Sequence, residues 1–486
     1  MNAIEVNNIS KRYGRVQALD GATFNVKRGE VFGLIGPDGA GKTTLFRIMA
    51  TLLLADSGTL QIDGYDVVQQ YKDIRRRVGY MPGRFSLYQD LTVEENLKFF
   101  ADLFDTTIAQ GYEGIKVIYS QIESFKHRKA GALSGGMKQK LALSCALIHQ
   151  PTLLFLDEPT TGVDPVSRKE LWQMLLTLKQ RNITIVAATP YLNEIRCCDR
   201  IAFLDKGKIK DIDTPEQILT KYADIFNPKS IERQTTSADA QRDDVIRVNH
   251  LVKTFGTFHA VDDISFTVRR GEIFGFLGAN GAGKTTAMRM LTGLSKPTGG
   301  TGTVGGFDIT TQSEQIKRHI GYMSQKFSLY EDMTVAQNIK LFGGIYGMNR
   351  RTIAKKTDEL LHRLQFTEHQ HTIVKDLPLG WKQKLAFSVS IFHEPEVVFL
   401  DEPTGGVDPA TRRQFWELIY NASTRGITVF VTTHYMDEAE YCDRISIMVD
   451  GKIRAMSTPS KLKTAYRCND MDEVFTLLAR EAKRAE

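Results

Sequence analysis

The chain has 486 residues, of which 42% are hydrophobic and 25% are charged, as in ordinary globular proteins. This length exceeds what one hydrophobic core normally serves, so two or more domains are expected. The 63 basic and 57 acidic residues leave a net charge of +6, which for this length does not by itself indicate binding to nucleic acid or anionic lipid.

Composition and hydropathy also bear on location. The five cysteines show no metal-ligand spacing, which favours a reduced compartment. The first residues, MNAIEVNNISKRYG, are polar and lack the apolar region of a signal peptide. The most apolar runs, such as 152–156 and 397–400, have four or five residues, whereas a membrane span needs about 20. The sequence therefore predicts a protein that does not cross a membrane.

The first predicted element with a chemical signal is a buried strand at 29–35, which enters a glycine-rich turn and then a helix. The turn, Gly36-x-x-x-x-Gly41-Lys42-Thr43, has the P-loop pattern. Its glycines let backbone N–H groups surround phosphate oxygens, the helix presents its positive end, and the lysine adds a charge. The candidate phosphate-binding residues are Gly36, Gly39, Gly41, Lys42, Thr43 and Thr44.

A helix is predicted at 93–104, and a buried strand at 153–156 then ends in Asp157-Glu158. Such a strand delivers Asp157 to a Mg²⁺ shell that Thr43 completes, and it places Glu158 to accept a proton from attacking water. The alternative is a carboxylate pair that caps the next segment. Further strands at 183–187 and 201–204, separated by helical segments, predict an α/β fold with a mostly parallel sheet.

A polar stretch at 227–244, NPKSIERQTTSADAQRDD, is interpreted as a linker. After it the whole pattern repeats, with offsets of 242 residues between Lys42 and Lys284 and 244 between Glu158 and Glu402. The chain is therefore predicted to be a tandem duplication, with domains at 1–226 and 245–486.

The second copy supplies its own set of candidate residues. Its strand at 271–277 enters GANGAGKTT, and its strand VVFLDE ends in Asp401-Glu402. By the same reasoning, Asp401 and Thr285 are candidate Mg²⁺ ligands and Glu402 is a candidate base. The candidate phosphate-binding residues here are Gly278, Gly281, Gly283, Lys284, Thr285 and Thr286.

The segment LSGGMKQ (133–139) precedes the first Asp-Glu strand and matches the signature motif of the ATP-binding-cassette (ABC) family, which the chain resembles over nearly its whole length. The resemblance implies two ABC nucleotide-binding domains. Each would have a P-loop core, an antiparallel β subdomain and a helical subdomain carrying the signature, and would use ATP and Mg²⁺. It further implies that Ser134, Gly135 and Gly136 contact ATP. Tyr13 and Phe255 would stack on adenine, although either could instead fill a sheet edge.

The resemblance also implies that the two sites differ. The family's Q-loop glutamine, a magnesium and water contact, is Gln325 in the second copy but Gly83 in the first. The switch histidine is His434 in the second copy but Pro190 in the first. The second signature is altered instead, with Pro378 and Leu379 at its serine and first glycine.

In this family two cassettes pair head to tail, and each ATP lies between one P-loop and the other domain's signature. All three departures would then fall in the site of Lys42, and the site of Lys284 would hydrolyse ATP. The alternative is that drift scattered these changes and that Pro378 merely begins a helix well.

The second copy's HYMDEAEYCDRI (434–445) and the VDP segments after both Asp-Glu pairs resemble ATP-binding subunits of bacterial ABC-2-type, multidrug-type exporters. This implies a peripheral protein on the cytoplasmic face of the plasma membrane, bound to two separate transmembrane subunits. These subunits would dock near 84–89 and 326–331, although the repeated FSLY there could also be core packing. The cargo cannot be identified from this sequence.

The alternative is a soluble tandem-cassette ATPase acting on ribosomes or nucleic acid. Ribosome factors of this kind typically carry a long basic helical arm and Asn-His-Leu-Asp after the Asp-Glu strand. Here the linker is short and mixed in charge, and residues 161–164 and 405–408 read TGVD and GGVD. DNA-repair cassettes carry zinc modules, for which this sequence has no cysteine pattern.

Overall fold

The computed structural model describes residues 2–37, 39–83, 85–161, 163–223, 243–325 and 329–484. The chain divides into two compact units, whose main bodies are 2–163 with 167–223, and 243–405 with 412–484. The predicted linker lies outside the described residues except for its last two, and Asp244 already begins the first strand of the second unit.

The first unit contains ten strands and eight α-helices among its described residues. The strands are β1 (Asn2–Tyr13), β2 (Val16–Lys27), β3 (Val31–Ile35), β4 (Ser57–Ile62), β5 (Tyr65–Asp66), β6 (Val78–Met81), β7 (Leu153–Asp157), β8 (Thr184–Ala188), β9 (Arg200–Asp205) and β10 (Lys208–Asp213). The α-helices are α1 (Lys42–Met49), α2 (Tyr71–Arg75), α3 (Val93–Leu103), α4 (Ile108–Tyr119), α5 (Gly135–Leu147), α6 (Pro165–Gln180), α7 (Leu192–Ile195) and α8 (Pro215–Lys221). Short 3-10 helices cover Glu123–Phe125 and Ala130–Ala132.

The second unit repeats this order. Its strands are β11 (Asp244–Phe255), β12 (Phe258–Arg269), β13 (Ile273–Gly278), β14 (Gly299–Val304), β15 (Phe307–Asp308), β16 (Ile320–Met323), β17 (Val397–Asp401), β18 (Thr428–Thr433), β19 (Arg444–Val449) and β20 (Lys452–Ser457). Its α-helices are α9 (Lys284–Leu291), α10 (Ser313–His319), α11 (Val335–Ile345), α12 (Arg350–Leu364), α13 (Leu379–Ser390), α14 (Pro409–Thr424), α15 (Pro459–Tyr466) and α16 (Met471–Arg484). Its 3-10 helices are Thr367–His369, Val374–Asp376 and Met436–Tyr441.

Each unit combines two sheets. A six-stranded sheet has the order β10-β9-β3-β8-β7-β6 in the first unit and the equivalent order β16-β17-β18-β13-β19-β20 in the second. Neighbouring strands in this sheet are parallel, except for one antiparallel edge pair in each unit, β9 with β10 in the first and β19 with β20 in the second. A separate four-stranded antiparallel sheet has the order β2-β1-β4-β5, or β12-β11-β14-β15. The predicted α/β class, parallel core and antiparallel β subdomain are confirmed.

The parallel sheet separates two apolar cores, because alternate side chains of a strand point to opposite faces. On β3, Phe32 and Leu34 face the core shared with the antiparallel sheet, whereas Val31 and Ile35 face the helices. The strand β13 divides its residues in the same way. These strands read as continuous apolar runs because both faces of the sheet are covered.

Local signals explain where the helical segments begin. Thr92 and Thr334 each cap the following helix, α3 or α11, with a reciprocal capping box to Glu95 and Gln337. The first helical residues therefore follow from the pattern Thr-x-x-Glu/Gln before an apolar run.

Among the described residues, we find no helix with both the length and the apolar character that crossing a bilayer requires.

Candidate functional site

The parallel strands of each unit end at one edge of the sheet, and the predicted site residues follow those ends. The P-loops follow β3 and β13, the Asp-Glu pairs end β7 and β17, and the switch positions 190 and 434 follow β8 and β18. Open α/β sheets bind ligands at this carboxyl edge. The fold therefore brings residues from distant parts of the sequence together within each unit.

The two P-loops have the same backbone geometry. Gly41 and Gly283 precede their helices in the left-handed region, with φ of 108° and 101°. A β-carbon at either position would lie about 2 Å from a backbone carbonyl, that of Ala18 at 2.3 Å or that of Ala260 at 2.1 Å. Glycine is thus required by both conformation and space.

The P-loop lysines are buried and held by backbone oxygens. Lys42 Nζ donates to the carbonyls of Gly36 at 2.7 Å and Pro37 at 3.0 Å. Lys284 Nζ donates to the carbonyls of Gly278 at 2.7 Å and Ala279 at 3.0 Å. Burial lowers the pKa of Lys284, against the opposing effect of nearby carboxylates. A phosphate group in the loop would supply the negative charge that this buried ammonium needs.

The residues predicted to hold Mg²⁺ meet in both units. In the second unit Thr285 Oγ1 donates to Asp401 Oδ1 at 3.3 Å. In the first unit the Thr43 side chain acts on the Asp157 carboxyl to lower its pKa, against the larger effect of burial. Both carboxyl groups are buried, and burial raises the pKa of each. In the first unit Asp157 Oδ1 is buried without a hydrogen-bond partner. Hydroxyl and carboxylate oxygens with spare acceptor capacity fit the ligand preference of Mg²⁺.

In the second unit the carboxylate of Glu402 is the centre of a cluster of side chains. Gln325 Nε2 donates to Glu402 Oε2 at 2.7 Å, and His434 Nδ1 lies 3.1 Å from the same oxygen. Lys284 Nζ lies 3.6 Å from Oε1. The predicted base is therefore held by three of the residues that sequence reasoning had assigned to its site.

The charge state of Glu402 follows from this cluster. Burial alone would raise its pKa, but the hydrogen bond and charge of His434 and the charge of Lys284 outweigh that effect. The pKa consequently lies below its ordinary value of 4.5. The carboxylate is ionised at neutral pH and can accept a proton.

The first unit retains the carboxylate and the P-loop lysine, but it has neither the glutamine nor the histidine of that cluster. Gly83 lies where a β-carbon would be 3.8 Å from Glu158 Cβ, so this position does adjoin the predicted base, but glycine offers no side chain. Pro190 is buried at the switch position and has no N–H. Glu158 Oε2 accepts a hydrogen bond from Thr161 Oγ1 at 3.1 Å. The two units thus share a backbone but differ in the side chains around the base.

A further difference was missed by sequence reasoning. Thr432 is opposite Asp401 in the register of β17 and β18, and its Oγ1 donates to Asp401 Oδ1 at 2.6 Å. The first unit pairs Asp157 with Ala188. The signal was visible as VAATP (186–190) against FVTTH (430–434), but the contact depends on strand register, which the sequence does not state.

The second unit has an open cavity of about 490 Å³ at this edge. It is lined by P-loop residues, by Gln325 and Glu402, and by the rings of Phe255 and Phe258. Phe255 and Phe258 pair in register across the β11–β12 hairpin and are 57% and 63% exposed. Phe258 was missed by sequence reasoning. Its counterpart opposite Tyr13 in the first unit is Val16, which has no ring to stack.

The two signature segments differ at the start of their helices. Ser134 caps α5, and its hydroxyl accepts from the Met137 N–H at 3.4 Å. Pro378 occupies the same capping position before α13 and makes no side-chain capping bond. Proline is therefore outside the helix here, not at the first helical position where it is favoured.

Comparisons with known proteins agree with this geometry. Residues 19–161 and 261–405 each match the sequence profile of a family described as "ABC transporter". The chain is 38% identical, over 96% of its length and 95% of the relative's, to "Probable multidrug ABC transporter ATP-binding protein YbhF" of Escherichia coli strain K12. It is 27% identical, over 93% of its length and 95% of the relative's, to "Ribose import ATP-binding protein RbsA" of Bacillus licheniformis.

A solved structure named "RNase-L Inhibitor" is similar in fold, with a TM-score of 0.66 over 92% of this chain and 89% of that chain. The sequences are 21% identical, so this similarity shows a shared fold alone.

We predict that Phe255 and Phe258 together contact the base of the bound nucleotide. Replacing Phe258 with Ala should weaken binding of a fluorescent ATP analogue to the second unit by about five- to one-hundred-fold, the range expected for losing one base–aromatic stack. Val16→Ala, at the matching position of the first unit, is the control and should change affinity little. Equal effects of the two substitutions would contradict the assignment.

Proposed function

The chain belongs to the ABC transporter family and is an ATPase with two tandem cassettes, and from this we propose that it powers an ABC-2-type exporter. We further propose that its second cassette carries the hydrolytic residues, whereas the first mainly holds nucleotide. The observation that carries this second proposal is the cluster of Gln325, His434 and Lys284 around the Glu402 carboxylate.

In the proposed reaction Glu402 accepts a proton from the water that attacks the terminal phosphate of ATP. Its ionised state suits this role, and His434 and Gln325 fix the direction of the carboxylate. Lys284, held by two carbonyls and near Glu402, turns to the phosphate when ATP enters. Thr285, Asp401 and Gln325 would hold Mg²⁺, as would Thr43 and Asp157 in the first cassette. The metal would offset charge on the phosphate oxygens.

The first cassette lacks the side chains of Gln325 and His434 at equivalent positions, and it also lacks the hydroxyl of Thr432. Losing a preorganised group that contacts the reacting atoms, as the side chains of Gln325 and His434 would, costs on the order of 10²–10³ in rate, although such losses need not be additive. Pro378 and Leu379 would add to the defects of the Lys42 site only if the two cassettes pair head to tail. That pairing stays a prediction from the sequence.

The proposed export role rests on the relative named as a multidrug ATP-binding protein, and it requires separate transmembrane subunits. It also implies a peripheral position on the cytoplasmic face of the bacterial plasma membrane. Within FSLY, the leucines Leu87 and Leu329 are buried, whereas Tyr88 and Tyr330 are 51% and 55% exposed. The buried leucines support the core-packing interpretation, and the exposed tyrosines support the docking proposal. Of the segments 84–89 and 326–331, residues 84 and 326–328 lie outside the described part of the chain.

A buried asparagine presents each tyrosine to solvent. Asn96 exchanges two hydrogen bonds with the backbone of Tyr88, at 3.1 and 3.0 Å. Asn338 does the same for Tyr330, at 2.9 and 3.0 Å. Phe99 adds a ring 5.0 Å from that of Tyr88 and is 41% exposed. A fixed, exposed aromatic group of this kind suits the short amphipathic segment of a membrane subunit.

To test which cassette hydrolyses ATP, we would replace each predicted base separately. Glu402→Gln removes the proton acceptor but keeps the shape, so ATPase activity should fall by about 10²-fold or more. Glu158→Gln, the matched control, should leave most of the activity. Steady-state phosphate release measures both. Activity that is abolished by Glu158→Gln and retained in Glu402→Gln would reverse the assignment.

To test docking, Tyr88 and Tyr330 would both be replaced by Ser. The double variant should capture much less of the two co-expressed membrane subunits while the isolated protein keeps its basal ATPase activity. Leu52→Ser with Leu294→Ser, two exposed apolar residues that follow the P-loop helices, is the matched control. Co-purification of ribosomal particles in place of membrane proteins would instead favour the alternative role on ribosomes.

A further inference from the structure

The hydroxyl of Thr432 touches both members of the Asp-Glu pair. Thr432 Oγ1 donates to Asp401 Oδ1 at 2.6 Å and accepts from the backbone N–H of Glu402 at 3.2 Å. The residue is fully buried at the end of β18, beside the end of β17. One side chain therefore links the predicted metal ligand and the predicted base.

Each of these contacts restricts one degree of freedom. The Asp401 oxygen that Thr432 binds also accepts from Thr285, so rotation of the carboxyl group about its bond to the chain is restricted from two sides. The backbone of Glu402 is left-handed, with φ of 48°. This conformation is unfavourable for a residue with a β-carbon, and bonds from its N–H to the carbonyl and hydroxyl of Thr432 oppose its relaxation.

The first cassette shows the same backbone without this hydroxyl. Glu158 is also left-handed, with φ of 53°, and its N–H donates to the carbonyl of Ala188 at 2.9 Å. Ala188 cannot make the side-chain contact, and Asp157 Oδ1 is the buried oxygen that has no hydrogen-bond partner. In both cassettes the strand backbone binds the N–H of the glutamate through a carbonyl oxygen. Only in the second cassette does a hydroxyl at this strand position add hydrogen bonds to the aspartate and to that N–H.

We propose that Thr432 is a positioning residue for hydrolysis, which orients the Asp401 carboxylate and the backbone of Glu402, and that Ala188 is a further reason why the first cassette turns over slowly. This inference rests on the proposed assignment of hydrolysis to the second cassette. Thr432 acts through its two neighbours and does not itself contact the reacting atoms.

The test compares Thr432→Val, which keeps the shape and removes the hydroxyl, with Thr432→Ser, which keeps the hydroxyl. Thr432→Val should lower kcat on the order of 10- to 100-fold, below the cost of losing a direct catalytic contact, with little change in the KM for ATP. Thr432→Ser should retain most of kcat. The Mg²⁺ concentration that half-saturates tightening of ATP binding should rise in Thr432→Val, which gives a readout that does not depend on turnover.

A matched packing control lies at the other end of the same strand. Thr428 is also fully buried, and its hydroxyl accepts from the Gly271 N–H at 2.9 Å, away from the site. Thr428→Val should lower the melting temperature to a similar extent as Thr432→Val but leave kcat and the Mg²⁺ dependence unchanged.

Equal losses of kcat in Thr428→Val and Thr432→Val would overturn the inference, because they would reflect general strand packing. A Thr432→Ser protein as impaired as Thr432→Val would overturn it too. The proposed function is judged separately: if Glu402→Gln abolishes turnover while Thr432→Val leaves it intact, this inference alone fails. If Glu402→Gln leaves turnover intact, the assignment of hydrolysis fails whatever Thr432 does.

Discussion

The chemistry proposed for this protein depends on one buried carboxylate, that of Glu402, being held ionised at the end of a parallel strand. Burial opposes ionisation, and the groups that reverse this effect, His434 and Lys284, come from segments far apart in the sequence. They meet because parallel strands of a covered sheet all end at one edge. The continuous apolar runs that form these strands therefore both fill the core and position the site residues at the strand ends.

The duplication shows how much of such a site the backbone fixes by itself. Both copies keep the left-handed glycine before the P-loop helix and the lysine bound to two carbonyls. Both also keep a left-handed glutamate, Glu158 or Glu402, directly after the strand that ends in aspartate. What differs is a set of side chains, with Gly83, Ala188 and Pro190 in the places of Gln325, Thr432 and His434. One fold thus carries two pockets that present different side chains around the same carboxylate.

The α/β fold, the strands and the P-loops could be predicted from the sequence because each has a local pattern. The positions of Gln325 and His434 followed from resemblance, and the structure brings both to Glu402. Thr432 and Phe258 could not be found in this way, since their positions beside the site depend on register, with a strand distant in sequence for Thr432 and across a hairpin for Phe258. Likewise, only the folded chain separates the buried leucine of FSLY from its exposed tyrosine.

The most direct measurement of the central claim is a single-turnover experiment on the wild-type protein saturated with radiolabelled ATP at both cassettes. Rapid mixing with Mg²⁺ and an excess of unlabelled ATP, followed by quenching, gives the fraction of bound label hydrolysed in the fast phase. The account predicts that about half of the bound ATP is split quickly and that the rest remains ATP or leaves unchanged. Hydrolysis of all the bound ATP in one phase, at a single rate, would contradict it.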